Sequence, residues 1–257
     1  MAAEKHSIDA LGQFVLYPVF GNVGRSLHIA QSNVLMAIAA ILILGLLYLG
    51  MRPRAIVPGR LQAAAELLYE FVYNMVDDQL GRKAHAYFPF VFALFCFILF
   101  GNYLGLIPGS FTYTSHIAVT LTLALVVFVL GLIVSLRVQG LHFFAHFLPE
   151  GTPVFLAPLL VPIEIISYLS RPISLSIRLF ANMVAGHVLF EVFAAFTIML
   201  GSLGVIGKFI AVAPVAVNVA MFALELLVGA LQAYVFAILT CIYLREAAVE
   251  THDEALV

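Results

Sequence analysis

The chain has 257 residues, 63% of them hydrophobic and only 10% charged, with a formal net charge of −2. Soluble domains carry about 25% charged residues, and a mean hydropathy of +1.10 leaves too little polar surface to coat a water-soluble globule. These values exclude a soluble enzyme, a disordered regulator and a nucleic-acid binder, which needs a basic face for phosphates. They describe an all-α, polytopic membrane protein of a single domain.

Residues 1–32 mix polar and apolar side chains and contain no compact apolar core near the start. They read as an outer N-terminal segment rather than a cleaved signal. The first span is 33–51: no Asp, Glu, Lys or Arg occurs between Arg25 and Arg52. Roughly 20 apolar residues cross about 30 Å of hydrocarbon.

An amphipathic helix follows at 61–80. Leu61, Ala64, Leu68, Phe71, Val72, Met75 and Val76 share one side, and Glu66, Glu70, Asn74, Asp77 and Asp78 take the other. It is too polar to cross and reads as interfacial or packed on a partner.

A helical hairpin spans 88–136, with one span near 88–107 and another near 117–136. The sequence GLIPGSFTYTSH supplies its turn. A second, much longer hairpin covers 154–244, as segments near 154–200 and 208–244 with the turn at Gly201–Gly207. Helices of that length are roughly 70 and 55 Å long. They must tilt steeply or break at Pro158, Pro162, Pro172 and Pro214. Residues 245–257 form a short charged tail. Arg52, Arg54, Arg60, Arg82, Lys83, Arg137 and Arg245 fall on one side of this five-span arrangement, and Lys5, Arg25 and Lys208 on the other. The excess places the N-terminus outside and the C-terminus in the cytoplasm.

Charges at bilayer depth are costly and mark function by default. The last hairpin holds Glu164, Arg171, Arg178, Glu191 and Glu225, with His187, Asn182, Asn218 and Gln232 as further polar groups. At about 100° per residue, Glu164, Arg171, Ser174, Arg178 and Asn182 lie within about an 80° arc. His187 and Glu191 lie roughly opposite. Asn218, Glu225 and Gln232 recur every seven residues and share a face.

Arg178 is the central residue, because a guanidinium keeps its proton in a protein. It is either half of a structural ion pair with Glu191 or Glu225, or a permanent cation that attracts and deprotonates a passing carboxylate. His187 and Glu225 are proton-exchanging groups or hydrogen-bonded packing residues. Glu164 is an interfacial charge or a proton exit. His142 and His146 fall in a loop and read as surface residues. His85 and His116 read as interfacial.

Neither cysteine, Cys96 or Cys241, belongs to a metal cluster or a disulfide framework, and no nucleotide-binding motif occurs. The residues therefore call for no metal, no cofactor and no catalytic group. A stand-alone secondary transporter with a midplane arginine also fits broken helices and buried charge. It lacks the internal duplication of such folds. A respiratory or intramembrane enzyme lacks the nucleophile or ligand set.

The run SRPISLSIRLFANMVAGHVLFE (Ser170–Glu191) resembles the signature of the a subunits of F-type ATP synthases, in their bacterial and mitochondrial form. So does ELLVGALQAYVFAILTCIYL, which begins at Glu225, and Asn102 and Pro108 in GNYLGLIP resemble the family's third-span pattern. The resemblance covers roughly residues 30–246. It implies a stator subunit of the proton-translocating Fo sector, with Arg178 as the essential arginine and Asn182 and Gln232 beside it. Glu164 matches the cytoplasmic half-channel, and His187 with Glu225 the outward-facing one.

The partners it implies are a c-ring of buried carboxylates, b-type peripheral-stalk subunits, the remaining ATP synthase subunits and membrane lipid. ATP chemistry lies on those other subunits. The implied location is the bacterial inner membrane. Two departures stand out. The pair runs His187 then Glu225, whereas many bacterial members have carboxylate then histidine. Gly105 and Ser110 stand where some members carry acids, so outer entry falls to Asn102, His116 or water.

Overall fold

A computed structural model describes residues 31–52, 58–107, 112–138, 140, 155 and 157–249. The expectations for residues 1–30, Pro108, Ser110, His142, His146 and the tail from Glu250 lie outside the described residues. Among the described residues the structure is helical throughout, without strands. Five helices among the described residues are long and apolar enough to cross a membrane, as the sequence predicts.

Helix α1 is Gln31–Met51, α2 Arg60–Leu80, α3 Ala84–Gly105 and α4 Ile117–Val138. The long hairpin is α5 Ala157–Gly201, then the short α6 Val205–Ile210 and α7 Val212–Val249. α2 and α3 are joined by a single 3₁₀ turn, Gly81–Lys83. A second 3₁₀ turn, Tyr113–Ser115, precedes α4.

The prolines do not act alike. α5 runs unbroken for 45 residues through Pro162 and Pro172. Away from water, neighbouring helices and hydroxyl side chains can satisfy the freed carbonyls. At about 68 Å it is more than twice the hydrocarbon thickness, so it crosses obliquely. Pro214 has the larger effect. It has no N–H for the Ile210 carbonyl, and the helix is interrupted at Ala211. The corner before it turns on Gly204, at φ 87°, a left-handed value that glycine adopts without strain.

The chain forms two compact units, each assembled from three stretches of sequence. The first takes the described parts of Met1–Ile43, Phe97–His116 and Leu179–Gln232. Here Gly101 and Gly105 let the Thr112–Ser115 turn press directly on the end of α3. A Cβ on Gly101 would enter the Tyr113 ring, and one on Gly105 would meet the Thr112 side chain. Tyr113 is fully buried. Its hydroxyl donates to the Phe97 carbonyl at 2.6 Å, and burial raises the phenol above its ordinary range.

The second unit takes the described parts of Leu44–Cys96, Ile117–Arg178 and Ala233–Val257. α4 buries Thr120, Ala124, Val127, Gly131 and Ser135, a stripe of mostly small residues suited to close helix approach in lipid. Thr120 Oγ1 lies 3.1 Å from Ser176 Oγ on α5. α2 meets α3 through aromatic rings, with Tyr69 and Phe88 centroids 4.7 Å apart.

The buried face of α2 is Gln62, Ala65, Val72, Met75, Val76 and Leu80. Val72, Met75 and Val76 agree with the predicted apolar side, but Leu61 and Phe71 are exposed. Apolar periodicity marks the protein-facing side only where the other side meets water.

Gly101→Val forces a branched side chain into the space of Tyr113. The expected cost is about 1–3 kcal/mol, read as a lower thermal midpoint of the purified complex. Gly45→Val, at a helical position with open space around it, leaves the midpoint unchanged.

Candidate functional site

α5 and α7 run antiparallel within the first unit, and their polar side chains meet in sequence. His187 on α5 faces Glu225 on α7, with Nε2 3.8 Å from Oε1. The same Nε2 lies 2.7 Å from Thr112 Oγ1. Glu225 is 5% exposed, and its Oε1 has no hydrogen-bond partner. Gly186 makes the room: a Cβ there would stand 2.7 Å from that Oε1 and 2.9 Å from the carboxyl carbon.

Asn102 joins the cluster from α3. Its Nδ2 donates to the Gly229 carbonyl at 3.0 Å, and its Oδ1 accepts from Thr114 Oγ1 at 2.8 Å. Gly229 sits one turn beyond Glu225, and a Cβ there would be 3.3 Å from Asn102 Cβ. Asn102 therefore ties the turn after α3 to the backbone of α7 beside the acid. His116, just beyond that turn, is held below the ordinary imidazole range by burial.

Nearer the other end of the same unit, Asn182 Nδ2 donates to Gln232 Oε1 at 3.1 Å. Gln232 is buried, and its Nε2 has no partner. Toward the hairpin corner, Asn218 lines an apolar cleft with Phe190, Ala194 and Phe222. With its amide turned to satisfy both atoms, Nδ2 donates to the Phe190 carbonyl at 3.3 Å and Oδ1 accepts from the Ala194 N–H at 3.2 Å. Glu191, one turn beyond His187, is half-buried.

The second unit holds Glu164, Arg171, Ser174 and Arg178 on α5. Arg171 lies over two rings, 5.6 Å from Tyr168 and 5.7 Å from Tyr243, the geometry of a cation–π clasp. Arg178 and Ser174 are exposed, and Glu164 is half-buried. Among the described residues, no hydrogen bond or ion pair engages the Arg178 guanidinium. The acid near an imidazole is Glu225, and its neighbour is His187.

Of the residues singled out from the sequence, the structure brings His187 to Glu225, Asn102 to the backbone of α7, and Asn182 to Gln232. The sequence reading missed Thr112, Gly186 and Gly229. Gly186 adjoins His187 in sequence, whereas Gly229 stands between Val228 and Ala230 with no polar neighbour to mark it. Thr112 lies in a turn and carries no such mark. No group of three or more His, Cys, Asp or Glu suited to a metal occurs among the described residues.

The fold and site define a helical integral membrane protein with ionisable groups on a long hairpin. The sequence model described as ATP synthase A chain matches residues 33–245. The chain is 69% identical over 241 residues to ATP synthase subunit a of Gluconacetobacter diazotrophicus, covering 94% of this chain and 97% of that protein. It is 66% identical to ATP synthase subunit a of Gluconobacter oxydans with the same coverage. It is 47% identical over 237 residues to that of Rhodospirillum rubrum, covering 91% of this chain and 96% of that protein. The chain belongs to the ATP synthase A chain family, and that membership weighs against the stand-alone transporter.

Asn182→Leu leaves the buried Gln232 amide without its partner. The expected destabilisation is about 1–3 kcal/mol, measured by thermal unfolding of the detergent-solubilised complex. Adding Gln232→Leu restores part of it, because both partners are then apolar.

Proposed function

We infer that the chain is the stator subunit of a proton-driven rotary motor, the membrane sector of an ATP synthase, with ATP chemistry on other subunits. The observation that carries this reading is an arginine on an apolar helix whose guanidinium is exposed and, among the described residues, unengaged. A charge that cannot be neutralised is costly in hydrocarbon. Left open on a helix face, it calls for a carboxylate from outside the chain. The partner we propose is a ring of c subunits, each bearing one buried acid. A b-type peripheral stalk holds the stator against it. The membrane is the bacterial inner membrane, with the N-terminus outside and the C-terminus cytoplasmic.

The mechanism follows from charge and solvation. A proton enters from outside near Asn102 and passes through His187 and Glu225. It neutralises a rotor carboxylate, which can then face lipid without an ionic penalty. The ring turns nearly full circle. The proton leaves through a cytoplasmic path near Glu164. The ionised carboxylate is then drawn to Arg178, whose fixed charge also repels hydronium and prevents a direct leak between the two paths.

Asn182 follows the arginine by one turn of α5 and pairs with Gln232, Ser174 lies on the arginine's arc, and Asn218 and Glu191 line the outer approach. The drive is about 2.3 kcal/mol per proton per 100 mV. Support for the outer path is the buried Glu225 carboxyl with an imidazole 3.8 Å away.

Arg178→Ala abolishes coupled ATP synthesis and ATP-driven pumping in assembled complexes reconstituted in vesicles. Normal coupled pumping by that variant defeats the assignment.

Glu225→Gln slows proton flux by about tenfold or more, the scale of losing one proton-transfer group. The exchange His187→Glu with Glu225→His recovers part of it, because one acid and one imidazole remain. Flux no better than either single variant, with assembly intact, overturns the coupled pair.

A further inference from the structure

We propose that Thr112 is a positioning residue for His187, holding its Nε2 toward Glu225 in both protonation states of the ring; this rests on the proton path proposed above. The geometry is specific. Nε2 is 2.7 Å from Thr112 Oγ1 and 3.8 Å from Glu225 Oε1. The first distance is a hydrogen bond and the second is too long for one. The hydroxyl therefore fixes the imidazole, and the carboxyl waits within reach of the same nitrogen.

The chemistry of a hydroxyl suits this place. It has one O–H donor and two lone pairs. When Nε2 carries a proton, Thr112 Oγ1 accepts it as a hydrogen bond. When Nε2 is bare, the hydroxyl turns about its C–O bond and donates. In the transfer itself, the imidazolium Nε2–H turns from Thr112 Oγ1 to Glu225 Oε1, the N–H bond breaks and an O–H bond forms on the Glu225 carboxylate. The imidazole keeps its Nδ1 proton and becomes neutral, and the acid becomes neutral too. Before and after the transfer, the ring is held by the same oxygen. An amide or a carboxylate could not follow both states without moving.

Thr112 is itself held in place. It is buried and lies against Gly105, where a Cβ would collide with its Oγ1. Its carbonyl accepts two hydrogen bonds, from Ser115 Oγ at 2.5 Å and from the Ser115 N–H at 3.1 Å. The missing side chain of Gly105 leaves the space that the threonine fills.

The test uses the whole ATP synthase in vesicles, with passive proton flux driven by a potassium diffusion potential and normalised to assembled complex. Thr112→Val keeps the shape and removes the hydroxyl. It is expected to slow flux about tenfold, whereas Thr112→Ser stays within about twofold of the parent. In His187→Ala complexes, whose residual flux is already low, Thr112→Val has no further effect.

Wild-type flux in Thr112→Val overturns the inference, and so does Thr112→Ser as slow as Thr112→Val. A Thr112→Val loss of equal factor with and without His187 overturns it as well, since the hydroxyl would then act on something else. Full flux in the His187→Ala parent defeats the proton path itself and takes this inference with it.

Discussion

A guanidinium holds its charge in any protein environment, and hydrocarbon resists charge. That conflict organises the molecule. A long helix carries Arg178 at membrane depth, and nothing among the described residues neutralises it. In a self-contained protein such a group would be paired. Its availability is what makes a moving acid on a neighbouring subunit the natural counter-charge in the proposed mechanism. The opposite sign is treated differently, since the Glu225 carboxyl is buried and can reach neutrality by taking a proton. One group that never titrates and one that can are the two requirements for steering protons without a leak.

Length is the second constraint. A helix of 45 residues exceeds any upright crossing, so the arginine and the acid–imidazole pair ride on helices that run obliquely through the bilayer. The hairpin keeps its register through polar contacts. Asn182 meets Gln232, His187 meets Glu225, and Asn218 meets the backbone at Phe190 and Ala194. These contacts fix which side chains face each other on helices whose remaining surfaces are interchangeable grease. Glycine supplies the clearances. Gly186 and Gly229 let the acid and Asn102 approach neighbouring backbones, as Gly101 and Gly105 do for the turn after α3.

Much of this was legible in advance because membrane sequences are written in a small alphabet. Uninterrupted apolar runs mark spans, and isolated charges within them mark sites. Arg178, His187 and Glu225 stand out for that reason alone. Prediction of contacts was weaker. On α2, the apolar side that periodicity defines holds both buried residues, Val72, Met75 and Val76, and exposed ones, Leu61 and Phe71. Lipid is as apolar as a protein core, so hydrophobicity does not tell one side from the other. The length of the last hairpin called for steep tilt or a break at a proline, and α5 runs through Pro162 and Pro172.

The sequence by itself determined an all-helical membrane protein, its five spans, and the identity of its ionisable groups, because those follow from composition and spacing along one chain. Only the tertiary structure decided that Thr112 meets His187, that Glu225 lies over Gly186, and that Asn102 clasps the backbone at Gly229. Those pairs come from segments up to 127 residues apart. A hydroxyl in a turn or a glycine in a helix carries no mark of its partner until packing brings the two together.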